Sequence, residues 1–381
     1  MRKRRRKYSR TNIRVMAIMG NKYPIPAPDV YRVTLPFSYL NKHSSIKAGW
    51  IQSDMIRQAV RQAQRGDRPI DNLRNIFGYD IIVLRRWLSA DVEMALGAVN
   101  DIREFSGVFN GKPALVIYEA DDDYSGKYRP PDIRLGDWKP FLRQVDAVIA
   151  STKPLADLMA EDAGLERGHV APNFLPHSKF SRTSLDAIRE NNALTVMLAG
   201  TATHEDDWRV VADAMVNITR EFPEVRFAVA GNVPDYLYGE CEFIPPVPYQ
   251  DYPAILRQAD ILCCALDPED RFNDSKSYVK VVEGWTSARK LVGKTVGGCA
   301  VIASDALPYR GIVVNRHNGL VVDHTVDAWY NAIKELITNR LLRQKLQVNG
   351  FKQSRTYDVQ LGWRKWYRVF ENILADGARR E

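Results

Sequence analysis

One segment of the 381-residue chain concentrates side chains that suit an anionic ligand. Residues 272–283 follow an apolar, strand-like run at 261–266. Asp274 and Ser275 are residue types that cap helices. The segment therefore predicts a helix start whose free N–H groups and positive dipole end attract an anion.

Three charged residues of this segment are spaced to act together. At 100° per residue, Lys276, Lys280 and Glu283 would share one helix face within about 60°. A diphosphate beside Lys276, with Glu283 accepting bonds from ribose hydroxyls, would make a nucleotide diphosphate site. The same spacing also fits a capped surface helix that carries a Lys–Glu pair, so both interpretations stay open.

Parallel sheets are the elements expected to position these residues. Short apolar runs recur between amphipathic stretches in two series. The first series is 15–19, 80–84, 114–118 and 147–150, and the second is 194–199, 225–230, 261–266, 300–303 and 320–322. Continuous apolar strands that alternate with helices indicate α/β domains with parallel sheets covered on both faces. Such domains bind ligands at the carboxyl ends of their strands, so we predict a site in a cleft between two Rossmann-like domains.

The length leaves room for two domains of ordinary size. We predict a basic flexible arm at 1–12, a first domain at 13–175, a linker at 176–193, a second domain at 194–352 and a C-terminal helix at 353–381 that packs back toward the first domain. The last helix carries an aromatic stripe at three- and four-residue spacing, which indicates packing on a core rather than a binding platform. The stripe consists of Trp363, Trp366, Tyr367, Phe370 and Ile373.

The composition excludes disordered, collagen-like and membrane proteins, because 45% of the residues are hydrophobic and 26% are charged. The net charge of +8 comes entirely from eight basic residues among the first fourteen. Such an arm could bind nucleic acid phosphates or anionic lipid head groups. A solvated, disordered tail is the alternative.

The four cysteines, Cys241, Cys263, Cys264 and Cys299, show no CxxC spacing. The adjacent pair lies inside an apolar, strand-like run, and we expect the cysteines to be buried free thiols. No secretory signal or transmembrane run is present in the sequence. These features favour a cytoplasmic protein, with the arm allowing peripheral contact at the inner membrane surface.

Several motifs, taken in order, resemble one family. The segment 272–283, followed by 300–305, 308–310 and 318–322, resembles the donor half of GT-B glycosyltransferases of the retaining, group 1 type. The turn 200–207 is similar to the family's glycine turn near the donor phosphates. In the first half, 117–123, 147–152 and 170–173 are also similar to family patterns, so the resemblance spans about 13–322.

The resemblance implies an enzyme that transfers a sugar from a nucleotide diphosphate donor, a UDP- or GDP-sugar, to a hydroxyl acceptor. It implies no tightly bound cofactor. The donor-binding positions are Gly200, Thr201, Ser275, Lys276, Ser277, Lys280 and Glu283. Lys276 and the helix start would stabilise charge on the leaving diphosphate, and Glu283 would hold the ribose. Domain closure would exclude water.

Other candidates lie outside the donor segment. The Asp121–Asp122–Asp123 run contains the pattern with which GT-A glycosyltransferases hold a metal, but we expect no metal in a two-domain Rossmann-like architecture. We place these acids on the acceptor side, with Asp122 or a neighbour orienting the hydroxyl. If the reaction is inverting, one of Asp121 to Asp123 is the candidate base. A solvated loop cluster is the alternative. Arg32 is a candidate for phosphate or acceptor binding. His204 is a candidate for a catalytic contact with donor or acceptor near the phosphates, and a capping or surface histidine is the alternative.

Two departures from the family pattern matter. Ser275 holds the place of the family's first glutamate. An insertion after Glu283 includes Arg289, Lys290, Gly293 and Lys294, and it would be either a functional loop or a longer helix. An inactive scaffold that binds nucleic acid is therefore the alternative function. For an active enzyme, the acceptors to consider are a surface saccharide, a lipid-linked glycan or a hydroxymethylated DNA base.

Overall fold

The computed structural model describes residues 12–20, 25–56, 73–86, 92–123, 135–181, 193–291 and 296–377. The predicted arm, except for Asn12, lies outside these residues, as do most of the predicted linker and the insertion residues Gly293 and Lys294. The chain divides into two compact units. The first comprises Met1–Tyr23, Pro28–Pro172 and Gly362–Glu381, and the second comprises Pro24–Ala27 and Asn173–Leu361.

The first unit is built on a parallel sheet of six strands. The strands are β1 (Arg14–Met19), β2 (Lys47–Gln52), β3 (Ile81–Arg85), β4 (Leu115–Ala120), β5 (Ala147–Ala150) and β6 (His169–Val170). Their order is β2-β1-β3-β4-β5-β6, and every pairing is parallel. The order changes direction between β1 and β3, which is where such sheets open a crevice at their carboxyl edge.

Helices cover this sheet because apolar residues recur at helical spacing between the strands. A turn at Ala27–Asp29 and a π-helical turn at Val30–Thr34 lead into α1 (Leu35–His43). The helices that follow are α2 (Arg74–Phe77), α3 (Val92–Asn110), α4 (Leu135–Leu142) and α5 (Lys153–Ala163). The Thr152 hydroxyl caps α5 by accepting a bond from the Leu155 N–H, and Gly164 ends it with a φ of 68°.

The second unit contains a parallel sheet of the Rossmann order. Its strands are β7 (Thr195–Gly200), β8 (Arg226–Gly231), β9 (Glu242–Ile244), β10 (Ile261–Cys264), β13 (Ala300–Ser304) and β14 (Leu320–Val322). They lie in the order β9-β8-β7-β10-β13-β14. This is the 3-2-1-4-5-6 arrangement, whose switch point lies between β7 and β10. A separate hairpin pairs β11 (Arg289–Lys290) with β12 (Val296–Gly297).

The helices of the second unit include two short ones that flank the predicted anion-binding segment. In chain order they are α6 (His177–Phe180), α7 (Arg209–Glu221), α8 (Tyr252–Leu256), α9 (Arg271–Asp274), α10 (Val279–Thr286), α11 (Val326–Thr338) and α12 (Arg340–Ser354). Thr325 and Asn339 cap α11 and α12 through their side chains. No described helix has the length and apolar character needed to cross a membrane.

The last helix, α13 (Val359–Gly377), carries the aromatic stripe predicted from the sequence. In the first unit, Trp366 and Phe370 are fully buried and pack edge-on against Phe37 of α1, with ring centroids 6.3 and 6.1 Å apart. Ile373 is buried as well. The stripe therefore packs on a core, as the sequence indicated.

Candidate functional site

The predicted donor-binding residues lie on two segments at one edge of the second sheet. Gly200 ends β7, and Thr201 and His204 follow it. The other predicted residues, from Ser275 to Glu283, follow the neighbouring strand β10. Because β7 and β10 are adjacent parallel strands at the switch point, their connections bring both segments to the same crevice.

His204 is fixed against the end of β7. Its Nδ1 lies 3.2 Å from Asp207 Oδ2, and its ring stacks on Trp208 with centroids 5.9 Å apart and planes 6° apart. A Cβ at Gly200 would lie 2.8 Å from His204 Cδ2, so only glycine allows the imidazole this close to the strand.

Asp207 joins the two segments. It is buried, and its Oδ1 accepts hydrogen bonds from the Asp267 N–H at 2.8 Å and from Asn273 Nδ2 at 2.7 Å. Asp267 follows β10, and Asn273 lies in α9. One carboxylate therefore ties the turn after β7 to the chain after β10.

The predicted helix start at Ser275–Ser277 is wrong. Asp270 caps α9 instead, because its side chain accepts from the Phe272 N–H at 3.0 Å, and α9 already ends at Asp274. The next helix, α10, begins at Val279. Residues 275–278 form the connection between the two helices, so Lys276 does not share a helix face with Lys280 and Glu283.

Lys276 is nevertheless buried at this crevice. Only 6% of its surface is exposed, and its Nζ lies 4.5 Å from the centre of the Phe272 ring. Within the described parts of the chain, no carboxylate lies within ion-pair distance of Nζ. A buried cation without a carboxylate partner is costly, and an anionic ligand would relieve this cost.

Glu283, Lys280 and Tyr252 form a trio in which Glu283 is buried and the other two residues are half-buried. Lys280 Nζ lies 3.1 Å from Glu283 Oε2 and donates to the Tyr252 hydroxyl at 2.9 Å, while that hydroxyl lies 3.4 Å from Glu283 Oε2. Burial alone would lower the pKa of Lys280, but the Glu283 carboxylate raises it above its ordinary value. Burial and Glu283 also raise the pKa of Tyr252.

The remaining predicted donor residues are less tightly held. The Thr201 hydroxyl lies 3.2 Å from that of Thr203 at the exposed end of the turn. Ser275 is buried, and the Ser277 hydroxyl accepts from Asn173 Nδ2 at 2.9 Å.

Sequence reasoning overlooked four residues of this site. Asp207 lies in the turn 200–207 and Asn273 in the segment 272–283, so both belong to motifs that the sequence analysis had identified. Their polar side chains were the signal that could have found them. Tyr309 is buried, and burial together with Cys264, Asp207 and Glu283 raises the pKa of its hydroxyl. Tyr252, remote in sequence, had no local signal.

His204 is neutral at physiological pH. Burial and the charge of Lys276 lower its pKa from 6.5 to about 4, although the nearby Asp207 acts in the opposite direction. The unfolded chain therefore binds more protons than the folded chain between pH 6.5 and pH 4. Acidification through this window favours unfolding.

We expect His204 to contribute a loss of about 2 kcal/mol in the free energy of unfolding between pH 7 and pH 5. Urea titrations of the wild type and of His204→Phe at both pH values measure this contribution. The loss on acidification is expected to be about 2 kcal/mol smaller in the variant. Equal losses in the two proteins would contradict the depressed pKa.

In the first unit, Arg32 belongs to a buried ionic network at the ends of β3 and β4. Its guanidinium lies 2.6 Å from Glu119, donates to the Ala171 carbonyl and stacks on Trp366 at 4.8 Å. Arg85 lies 3.0 Å from the same Glu119. Arg32, predicted to bind phosphate or acceptor, has no exposed surface to offer a ligand in this structure, and its contacts give it a structural role instead.

Replacing Arg32 with methionine is expected to lower the free energy of unfolding by about 3 kcal/mol, because the buried Glu119 loses a partner. Urea unfolding measures this effect. Arg167→Met is the control, since the ion pair of Arg167 with Asp376 is exposed and should contribute less than about 1 kcal/mol. Similar midpoints for both variants would show that the network is not what stabilises these strand ends.

The three predicted acceptor-side acids differ in their environments. Asp121 is buried and lies 2.9 Å from Arg85. Burial alone would raise its pKa, but the Arg85 and Arg86 charges lower it to about 2. Asp122 and Asp123 are half-buried. Within the described residues, no group of three His, Cys, Asp or Glu side chains is arranged to hold a metal ion.

The insertion after Glu283 is a hairpin where it is described. Arg289 of β11 lies 2.8 Å from Asp260, which precedes β10. The basic side chain that had suggested a functional loop is therefore engaged within its own unit.

Comparison with known proteins agrees with this arrangement. Residues 193–339 match the family model described as glycosyl transferases group 1. HepE of Anabaena, crystallised with UDP and glucose, is similar over 94% of this chain and all of its own, at 12% identity and a TM-score of 0.62. A glycosyltransferase from Rickettsia africae is similar over 95% of this chain and 99% of its own, at 13% identity and a TM-score of 0.62. The chain has the GT-B fold.

Sucrose-phosphate synthase of Thermosynechococcus elongatus has this fold as well, covering 95% of this chain and 99% of its own at 12% identity and a TM-score of 0.60. No curated protein sequence matches this chain. The expectation of a GT-B fold, with two parallel-sheet α/β units and a helical C-terminal segment, is confirmed. The residues that match the family model, 193–339, include the whole candidate site from Gly200 to Glu283.

Proposed function

We propose that this protein is a glycosyltransferase that transfers a sugar from a nucleotide diphosphate to a hydroxyl acceptor. The observation that carries the proposal is Lys276, a buried ammonium without a carboxylate partner among the described residues, at the switch point of a Rossmann-ordered sheet. A diphosphate is the anion that such a crevice suits. The family match of residues 193–339 supports the same class of enzyme.

The leaving diphosphate meets Lys276 and the first turn of α10. Tyr278 provides no side-chain cap for this helix, and the Ser277 hydroxyl accepts only a long bond, 3.4 Å, from the Val279 N–H. The helix start therefore presents its positive dipole end to an anion. Positive charge at this point stabilises the negative charge that develops as the sugar leaves. Ser275, Ser277 and the Gly200–Thr201 turn complete the proposed phosphate surroundings.

Glu283 is proposed to hold the ribose. Its carboxylate is buried and already oriented by Lys280 and Tyr252, and a carboxylate has several acceptor sites, enough for the two ribose hydroxyls as well. UDP-glucose is the first donor to test, and UDP the first nucleotide, because HepE was crystallised with both.

On the acceptor side, we propose Asp122 as the residue that orients the acceptor hydroxyl. Asp121 is a poor base because the Arg85 and Arg86 charges oppose the effect of burial and lower its pKa to about 2. In a retaining reaction, the leaving phosphate itself takes the acceptor proton, and no protein base is needed. In an inverting reaction, Asp122 or Asp123 would serve.

Mass spectrometry tests the proposal. The full-length protein is incubated with UDP- and GDP-sugars, with and without oligosaccharides, lipid-linked glycans and hydroxymethylated duplex DNA. A sugar-sized mass gain on one acceptor supports transfer and identifies the acceptor class. Release of nucleoside diphosphate without an acceptor supports donor cleavage. No turnover with any donor, together with no donor binding, would contradict the proposal and favour an inactive scaffold.

A further inference from the structure

The His204 imidazole has one engaged and one free nitrogen. Nδ1 lies 3.2 Å from Asp207 Oδ2. Nε2 has no hydrogen-bond partner among the described residues, and 17% of the side chain is exposed. Stacking on Trp208 and contact with Gly200 prevent the ring from turning freely.

Asp207 determines which nitrogen carries the proton. Its Oδ1 is occupied by two N–H donors, from Asp267 and Asn273, and its Oδ2 faces His204. A carboxylate only accepts hydrogen bonds, so the Nδ1 of a neutral imidazole must be the donor in this contact. The other nitrogen, Nε2, is then left with a lone pair.

The charges around the ring keep it neutral. Lys276, after α9, and Lys280, on α10, both disfavour a second proton, and burial acts in the same direction. Asp207 raises the pKa of His204, but burial and the two lysines lower it by more, to about 4. At neutral pH, Nε2 is therefore an acceptor and not a donor.

We propose that His204 Nε2 accepts a hydrogen bond from a hydroxyl of the sugar on the nucleotide-sugar donor, and that Asp207 is the positioning residue that holds the required tautomer. This inference rests on the proposed function and refines it. Phosphate oxygens at neutral pH have no proton for an Nε2 lone pair, whereas sugar hydroxyls do. His204 thus recognises the sugar, and Lys276 recognises the diphosphate.

Calorimetric binding of UDP, GDP and a panel of their hexose derivatives to the wild type and to His204→Phe tests the contact. Phenylalanine keeps a ring over Trp208 and removes both nitrogens. We expect the affinity for the nucleoside diphosphate to stay within about twofold, and the affinity for the best sugar donor to fall roughly three- to tenfold. Equal losses for both ligands, or no loss for any sugar, would overturn the proposal.

Asp207→Asn separates positioning from a purely structural role. The asparagine oxygen can still accept from Asp267 and Asn273, while its amide can donate to Nδ1 and so favour the tautomer with the proton on Nε2. We expect the same selective loss of sugar affinity, and nitrogen-15 NMR should show the Nδ1–H tautomer of His204 in the wild type and its reversal in the variant. An Nε2–H tautomer or a charged ring in the wild type at pH 7.5 would overturn the proposal.

Failure of the proposed function gives a different result. A wild-type protein that binds neither nucleoside diphosphate nor any sugar derivative at millimolar concentration would refute the glycosyltransferase assignment, and the sugar contact with it. A wild-type protein that binds UDP or GDP, but binds no sugar derivative in a His204-dependent way, would refute only the sugar contact.

Discussion

Replacing Glu283 with glutamine is expected to weaken the binding of UDP roughly tenfold to hundredfold while the second unit keeps its fold. Each hydrogen bond from a ribose hydroxyl to the carboxylate contributes about 1.5–3 kcal/mol, and the neutral amide offers a weaker acceptor. The amide also keeps the shape of the side chain beside Lys280 and Tyr252. Titration calorimetry with UDP and thermal unfolding measure the two effects separately.

The chain provides a matched control for this variant. Glu221, Lys334 and Tyr330 repeat the Glu–Lys–Tyr arrangement on the surface of the same unit, with Lys334 Nζ 2.7 Å from Glu221 and the Tyr330 hydroxyl donating to it. Glu221→Gln should leave UDP affinity unchanged. A Glu283→Gln variant that binds UDP as tightly as this control would refute the ribose assignment.

Replacing Lys276 with alanine is expected to lower kcat by about 100- to 1000-fold, because the leaving diphosphate loses the cation that stabilises its charge. Removing a buried ammonium that has no carboxylate partner among the described residues should not destabilise the fold, since the cost of desolvating the charge disappears with it. Steady-state kinetics with the donor identified by mass spectrometry, and unfolding midpoints, test both statements.

Lys179 provides the control for Lys276. Its Nζ lies 4.5 Å from the centre of the Tyr249 ring, the same separation as between Lys276 and Phe272, and it is remote in sequence from the site segments. Lys179→Ala should leave kcat within about twofold of the wild type. If both variants lost kcat equally, or if Lys276→Ala lost stability in proportion to activity, Lys276 would be a structural residue.

Most of the fold followed from the sequence because buried parallel strands are continuous apolar runs. Strands β3, β4, β10 and β13 are of this kind, and both ends of each strand lie within two residues of the predicted ends. Strand β2 was not predicted because it lies at the sheet edge, with Trp50 and Lys47 exposed, and so lacks an apolar run.

The site was predictable only where its parts are close in sequence. The segment that contains Lys276 and Glu283 stood out by residue type. The position of its helix start depended on which residue caps the helix after β10, and that residue is Asp270 rather than Asp274 or Ser275. Tyr252 and Tyr309 join the site through strand order, which residue spacing does not reveal. The burial of Arg32 could not be predicted, because arginine is rarely buried without a partner and its partner Glu119 is 87 residues away in the sequence.

The parallel stack of His204 on Trp208 gives the candidate site an optical signal of its own. A charged imidazole quenches the fluorescence of an adjacent indole by accepting an electron from its excited state, whereas a neutral imidazole does so weakly. Trp208 therefore emits while His204 is neutral and darkens when the ring gains its second proton. The difference in emission between the wild type and a Trp208→Phe variant should therefore report the protonation state of a single ring in this crevice, without a label.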